Sequence, residues 1–332
     1  MINLNNKSIL ITGGTGSFGV HFIKNILLKF KKIKKIIIFS RDEFKQFELS
    51  KVFSEEKFPC MRFFIGDVRD KNRLELALKD VNYVIHAAAL KHVPIAEYNP
   101  FEAIKTNIIG SQNLIEACLS SGVKKVIALS TDKAAAPLNL YGATKLCSEK
   151  LFIAANNIKG KNNITFSVVR YGNVLGSRGS VIPEFFKQRE NGILNITDKD
   201  MTRFSINLDD CVDIVMYALT NSIGGEIFVP KIPSFKIVDL ANVIAPKSKI
   251  RFIGIRPGEK IYEELITSSE SMNTLESKNF YMILPALDKR FLPYINTKKW
   301  KKNYKVFSYN SSNCKILNKE QIKILLKKNN FF

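Results

Sequence analysis

Tyr141 and Lys145 stand four residues apart in Tyr-Gly-Ala-Thr-Lys. On a helix that spacing puts a phenol and an ammonium on one face. A cation beside a phenol favours the phenolate, which draws the tyrosine pKa toward the working range. A phenolate so placed can take the proton of a sugar hydroxyl while the carbon beneath it gives a hydride to a nicotinamide. Lys145 can hold the nicotinamide ribose. The string alone arises by chance in many helices, so its setting decides. Here it follows an apolar run that ends in Leu129-Ser130-Thr131.

A second pattern supplies the cofactor. Thr12-Gly13-Gly14-Thr15-Gly16-Ser17-Phe18-Gly19 follows one apolar run and opens a helical one. In that setting one glycine allows a tight turn, one lets backbone approach a pyrophosphate, and one lets helix pack on strand. Gly13, Thr15, Gly16, Ser17, Phe18 and Gly19 are therefore offered to a dinucleotide. About 20 residues on, where an acid would bind a free ribose 2′-hydroxyl and a base a 2′-phosphate, the chain reads Ser40-Arg41-Asp42-Glu43-Phe44-Lys45. Ser40, Arg41 and Lys45 beside Asp42 and Glu43 tilt the expectation to NADP. Asp67 and Val68 end a third run and can contact adenine; Ala87 to Ala89 end a fourth, where small side chains leave room for the cofactor. Lys91 and His92 follow, placed to face nicotinamide or sugar; His92 is left out of the catalytic set, because a lone histidine is more often structural.

These groups need a frame. Apolar runs at 7–12, 35–39, 61–66, 83–88, 125–130 and 165–170 alternate with longer amphipathic stretches. Runs apolar throughout fit strands buried on both faces, and helices between them imply a parallel sheet. Right-handed crossovers make it doubly wound, an α/β Rossmann arrangement. Residues 173–205 read as irregular, 208–221 as a further helix and 226–230 as a further strand. The expected division is an NADP-binding domain of 1–172 plus 206–232 and a smaller nucleotide-sugar-binding domain of 173–205 plus 233–332.

Composition sets the outer bounds. With 332 residues and 45% hydrophobic content the chain can bury a sizeable core. Lysine and arginine exceed acids by 21 charges, but the basic runs are short, scattered and not interleaved with stacking aromatics, so nucleic acid is not expected. Such a field suits a small anionic substrate. Five cysteines without a CxxC pair, and three histidines, fit neither a disulfide framework nor a zinc cluster. No run reaches the ~20 apolar residues of a membrane span, and no leader pattern opens the chain. A cytoplasmic protein without metal or membrane partner is expected.

The glycine turn, Thr131 ten residues before Tyr141, and the Tyr141/Lys145 pair resemble the extended short-chain dehydrogenase/reductase family over nearly the whole chain. Ser40 to Glu43, Ala87 to Pro94, Ser130 to Ala135, Arg170 to Val174 and Ile255 to Lys260 are similar to its inverting UDP-N-acetylglucosamine 4,6-dehydratase branch. Common sugar-nucleotide dehydratases carry Thr-Asp-Glu where this chain has Thr131-Asp132-Lys133. The resemblance implies Tyr141 as the base for C4 oxidation, Lys133 as the base at C5 and Asp132 as the acid at C6. Lys133 must then be neutral, which calls for a pKa lowered by burial or nearby cations. Arg256 offers a planar fork to the diphosphate and Glu259 an acceptor for a ribose hydroxyl. The resemblance places Lys91, Thr131, Asn173, Arg178, Val181 and Phe185 at the sugar and uracil, with Thr197 and Arg203 as further candidates. It also implies a homo-oligomer, a hexamer, and a product destined for pseudaminic acid on flagellin or other surface glycans. A C5-retaining dehydratase, a 4-epimerase and an NADP-binding regulatory protein are the competing readings. The stretch 266–332 carries no sharp motif.

Overall fold

Ile9-Leu10-Ile11, Ile36-Ile37-Ile38 and Val126-Ile127-Ala128-Leu129 are apolar at every position, so strands made from them must be covered on both faces. In the computed structural model, which describes residues 2–177, 179–285, 289–295, 297–302 and 305–332, all of these residues are buried. They belong to β1 (Ser8–Thr12), β2 (Lys35–Ser40) and β5 (Lys125–Thr131); with β3 (Met61–Ile65), β4 (Tyr83–His86) and β6 (Thr165–Tyr171) they form one parallel sheet in the order β3-β2-β1-β4-β5-β6. Strand order reverses between β1 and β4, and a sheet of this kind opens a crevice at the carboxyl ends of its strands there.

The stretch 173–205, expected to be irregular, holds regular elements from 181 onward. It carries the helix Val181–Arg189 and the short strands β7 (Ile193–Ile196) and β8 (Thr202–Phe204). Their partners lie far down the chain: β8 pairs β10 (Ser234–Lys236) and β7 pairs β11 (Lys249–Phe252). Elements of three or four residues leave little local pattern, and it is the distant partner that stabilises them. β9 (Ile227–Pro230) rejoins the main sheet parallel to β6. After β12 (Glu264–Ile266), the antiparallel strands β13 (Thr274–Glu276), β14 (Phe280–Ile283) and β15 (Lys301–Lys302) extend that sheet, and β16 (Tyr309–Asn310) pairs β12.

Two cores result. The larger one fills the space between sheet and helices, and it includes Leu265, Leu275, Met282, Trp300 and Tyr309. The smaller one packs Ile182 and Phe185 against Leu240 and Ile244 and, from the last helix (Lys319–Lys328), Ile322 and Leu326. The cores do not divide at residue 233, because 265–309 pack with the sheet.

Arg170, wholly buried at the end of β6, locks the helix Leu140–Ile158 in place. It donates to both carboxylate oxygens of Glu149 at 2.9 and 2.6 Å and to Glu270 at 3.0 and 2.8 Å. Among the described residues no helix is long and apolar enough to cross a membrane.

Candidate active site

The first βα turn is shaped for close approach. Gly13 has φ +66°, and a Cβ on it would sit 2.9 Å from Ala88 Cα. The helix Ser17–Lys29 begins without a side-chain cap, so its first N–H groups and the positive end of its dipole are open to an anion. Beneath the turn, Thr12 Oγ1 meets His86 Nδ1 at 2.8 Å and accepts from the amides of Ala87 and Ala88 at 3.2 and 3.3 Å. Burial, and then the charge of Lys145, push His86 down to about 3, so it acts as a neutral hydrogen-bonding strut. A cleft of about 780 Å³ runs from this turn to the end of β6.

At the end of β2, Asp42 caps the helix Glu43–Val52 through the Lys45 amide and pairs with Lys45 Nζ at 2.5 Å. Ser40 is held by Gln46, whose amide donates to its carbonyl and hydroxyl at 3.0 Å each. Asp67 is bound by Arg69 at 2.6 Å and approached by Arg41 at 3.6 Å. Gly13, Thr15, Gly16, Ser17, Phe18, Gly19, Ser40, Arg41, Asp42, Lys45, Asp67, Val68, Ala87, Ala89, Lys91, Leu129 and Ser130 all line the cleft; Glu43 does not and faces solvent.

The chemical end lies where β5 meets the helix Leu140–Ile158. Asn139 caps that helix, its side chain accepting from the Gly142 amide at 2.8 Å. A Cβ on Gly142 would overlap the carbonyl oxygen of Lys133, so glycine there lets the helix approach the Asp132–Ala134 turn. Tyr141 and Lys145 are buried and face the cleft, and Lys145 Nζ donates to the Leu129 carbonyl at 2.7 Å. Burial pushes Lys145 down to about 8, against the pull of Glu149.

Two expectations about charge are corrected here. Burial pushes the Tyr141 phenol up to about 12, and the cation that opposes this is Lys133, with the Thr131 hydroxyl. Lys133 is not lowered but raised: burial and Arg203 act downward, yet Asp132 and Glu263 outweigh them. Its Nζ lies 3.0 Å from Asp132 Oδ1 and 3.0 Å from Glu263 Oε1. Lys133 Nζ is thus held between the carboxyl groups of Asp132 and Glu263.

Those carboxylates differ. Burial pushes Asp132 up, with Lys133 opposing, and Thr131 donates to its Oδ1 at 3.0 Å. Glu263 is held low despite its burial, by Lys133, then Arg203 and Lys260. Among the described residues, Asp132 Oδ2, Glu263 Oε2, Ser130 Oγ and Asn173 Oδ1 are buried without a hydrogen-bond partner. Buried polar atoms are nearly always paired; of these residues Asp132, Ser130 and Asn173 line the cleft and Glu263 does not.

Of the substrate-side candidates, Lys91, Thr131 and Asn173 line the cleft. Arg203 is buried, donates to the Thr202 and Ile261 carbonyls at 2.8 and 3.1 Å, and lies 3.6 Å from Glu259. Arg256 is exposed nearby, its amide 3.4 Å from Glu259 Oε2. Thr197 donates to Met201 Sδ at 3.2 Å. Phe185 departs from its expected role. Its ring is 2% exposed inside the smaller core, with Val181 packed against that core, because both stand on the apolar face of a helix. Arg178 lies outside the described residues. Glu263 is the member that motif reading missed; it sits in Tyr-Glu-Glu-Leu without a recognisable string.

Residues 9–285 match the family described as polysaccharide biosynthesis protein. A Campylobacter jejuni protein named UDP-N-acetylglucosamine 4,6-dehydratase (inverting) is 57% identical over 316 residues, 93% of each chain. A Rickettsia bellii protein named UDP-glucose 4-epimerase is 46% identical over 332 residues, 97% of this chain and 95% of its own. Among solved structures, the X-ray structure of Pen from Bacillus thuringiensis matches with a TM-score of 0.91 over the whole of both chains, at 38% identity.

Proposed function

The chain belongs to the polysaccharide biosynthesis protein family, within the extended short-chain dehydrogenases/reductases, and from that premise we propose that it carries out NADP-dependent 4,6-dehydration of UDP-N-acetylglucosamine with inversion at C5. The product is UDP-2-acetamido-2,6-dideoxy-β-L-arabino-hexos-4-ulose, the first intermediate toward pseudaminic acid for flagellin or other surface glycans. A cytoplasmic setting and a homohexamer belong to the same reading and rest on the family resemblance. The observation that supports the reaction most is the meeting of a phenol, a carboxyl group and an amine (Tyr141, Asp132 and Lys133) in one cleft beside the glycine turn.

The residues present fit a dinucleotide. Gly13 lets the first turn pack against the Ala87–Ala88 backbone at the cleft, the helix from Ser17 begins without a side-chain cap, and Ser130 holds an unpartnered hydroxyl. A nicotinamide held beside Tyr141 and Lys145 would supply the hydride acceptor for C4 of the sugar and the hydride donor for C6. Tyr141 takes the C4 hydroxyl proton, which requires the phenol to lose its own against the pull of burial. Lys145, fixed by the Leu129 carbonyl, would hold the nicotinamide ribose. Once C4 is a ketone the C5 proton is acidic. Lys133, after shedding one proton, takes it, and the electron pair of the C5–H bond moves toward the C4 oxygen. The enolate pair returns to form a C5–C6 double bond as Asp132 gives its proton to the C6 hydroxyl, which leaves as water. Once C6 has regained the hydride, C5 takes a solvent-derived proton on the face opposite the one it lost, and that inverts C5. The raised Asp132 suits that donor role.

The test is one incubation of the protein with UDP-N-acetylglucosamine in deuterated water, read by NMR. A 6-deoxy-4-keto sugar of the L series, with deuterium at C5, is expected. Lys133→Met should cut C5 deuterium uptake about 10²- to 10⁴-fold, the usual worth of a general base. A D-series product overturns the inversion. A C4 epimer formed without loss of water overturns dehydration in favour of the 4-epimerase reading, which the Rickettsia relative supports.

A further inference from the structure

We propose, on the dehydratase reading above, that Glu263 is the positioning residue for Lys133: its carboxylate holds the amine at the end of β5 and neutralises the ammonium that forms when the amine takes the C5 proton. Geometry carries this. Lys133 Nζ lies 3.0 Å from Glu263 Oε1, and Glu263 is 3% exposed. Its backbone is fixed from the far end of the chain. The Ser311 hydroxyl accepts from the Glu263 amide at 3.0 Å, the Ser311 amide donates to the Glu263 carbonyl at 2.8 Å, and Ser311 Oγ meets Thr202 Oγ1 at 2.8 Å. A rigid, buried carboxylate on the base has the logic of any catalytic triad, in which a third group orients the base and stabilises its protonated form.

Asp132 lies equally close to the same nitrogen, but it cannot serve both as counter-ion and as proton donor. The surroundings divide the work. Lys133, Asp132, Glu263, Arg203, Lys260 and Tyr141 are the charged or titratable groups that face one another here, from the β5 turn, β8, the segment before β12 and the helix Leu140–Ile158. Arg203 Nε reaches 3.9 Å from Glu263 Oε1, so Glu263 has cations on two sides and keeps its charge throughout. In the step itself a C5–H bond breaks and a Lys133 N–H bond forms. The electron pair moves to the C4 oxygen, and Glu263 exchanges no proton.

The experiment titrates Lys133 directly. ¹³C-lysine NMR of the full chain, with the Lys133 resonance identified by its loss in K133M, is compared for wild type, Glu263→Gln and Glu263→Asp. Removing a carboxylate from an ammonium lowers the ammonium's pKa, so E263Q should titrate about one unit or more below wild type and E263D close to it. C5 deuterium uptake in E263Q should begin at lower pH yet level off about ten- to a hundredfold below wild type, because a weaker, unaimed base is less effective. A Lys133 titration unmoved in E263Q overturns the proposal, as does a slower uptake with an unmoved pH limb, the mark of a merely structural loss. Should E263Q fail to fold, Ser311→Ala, which frees the Glu263 backbone and keeps its charge, should lower the uptake plateau, and an unchanged plateau overturns the proposal. If wild type takes up no deuterium while the Lys133 titration still falls in E263Q, the dehydratase reading fails and the Glu263 clamp stands.

Discussion

At the ends of β2 and β3 two acids are already engaged: Asp42 with the Lys45 amide and ammonium, and Asp67 with Arg69. Arg41 lies 3.6 Å from Asp67 and half of its side chain is exposed beside the cleft. It is the cation best placed to turn toward a 2′-phosphate without breaking a short ion pair. A hydrogen bond to a charged group contributes about 1.5–3 kcal/mol, and about 1.4 kcal/mol is tenfold in affinity. Arg41→Ala should therefore weaken NADP about ten- to a hundredfold relative to NAD, read by calorimetric titration with each. An unchanged ratio would remove Arg41 from the choice of cofactor.

At the scale of elements, the helix Leu140–Ile158 matters most, since it carries both Tyr141 and Lys145. Among the contacts that set its position are the Asn139 cap, the Arg170–Glu149 pair, the Lys145–Leu129 bond and the bare Cα of Gly142 against the Lys133 carbonyl. Overpacking typically costs about 1–3 kcal/mol. Gly142→Ala should lose about that much stability in thermal melts and lower kcat, because the helix must retreat from the Asp132–Ala134 turn. Gly122→Ala, whose Cβ would meet nothing within 4 Å, should leave both unchanged. Equal melting temperatures for the two variants would contradict the close contact.

For the whole molecule, the two cores serve different walls of the cleft. The glycine turn and the cleft residues of one wall stand at the ends of β1, β2, β4 and β5, within the larger core. Asn173, Ser177 and Ser180 line the other wall and run into the helix Val181–Arg189, which packs in the smaller core with Leu326 from the last helix. Deleting buried methyl groups costs about 2–5 kcal/mol for Leu→Ala. Leu326→Ala should lower stability by that order and raise KM for UDP-N-acetylglucosamine while leaving the NADP dissociation constant near wild type. A matched loss for both ligands would show that the walls are not separable.

The buried strands, the glycine turn and the Tyr141/Lys145 face were legible in the chain, because each depends on neighbours a few residues away: apolar runs, a backbone turn, one helical repeat. The Val181–Arg189 helix and strands β7 and β8 were not legible, since distant partners hold them. The direction of the Lys133 pKa shift was not legible for the same reason. Asp132 is its neighbour in sequence, but Glu263 and Arg203 reach it only through folding, and a pKa reflects every charge within reach. The Tyr141 phenol likewise rises because the fold buries it. Local spacing thus determined which groups could do chemistry, whereas their protonation depended on Coulomb and desolvation energies that exist only once remote segments meet.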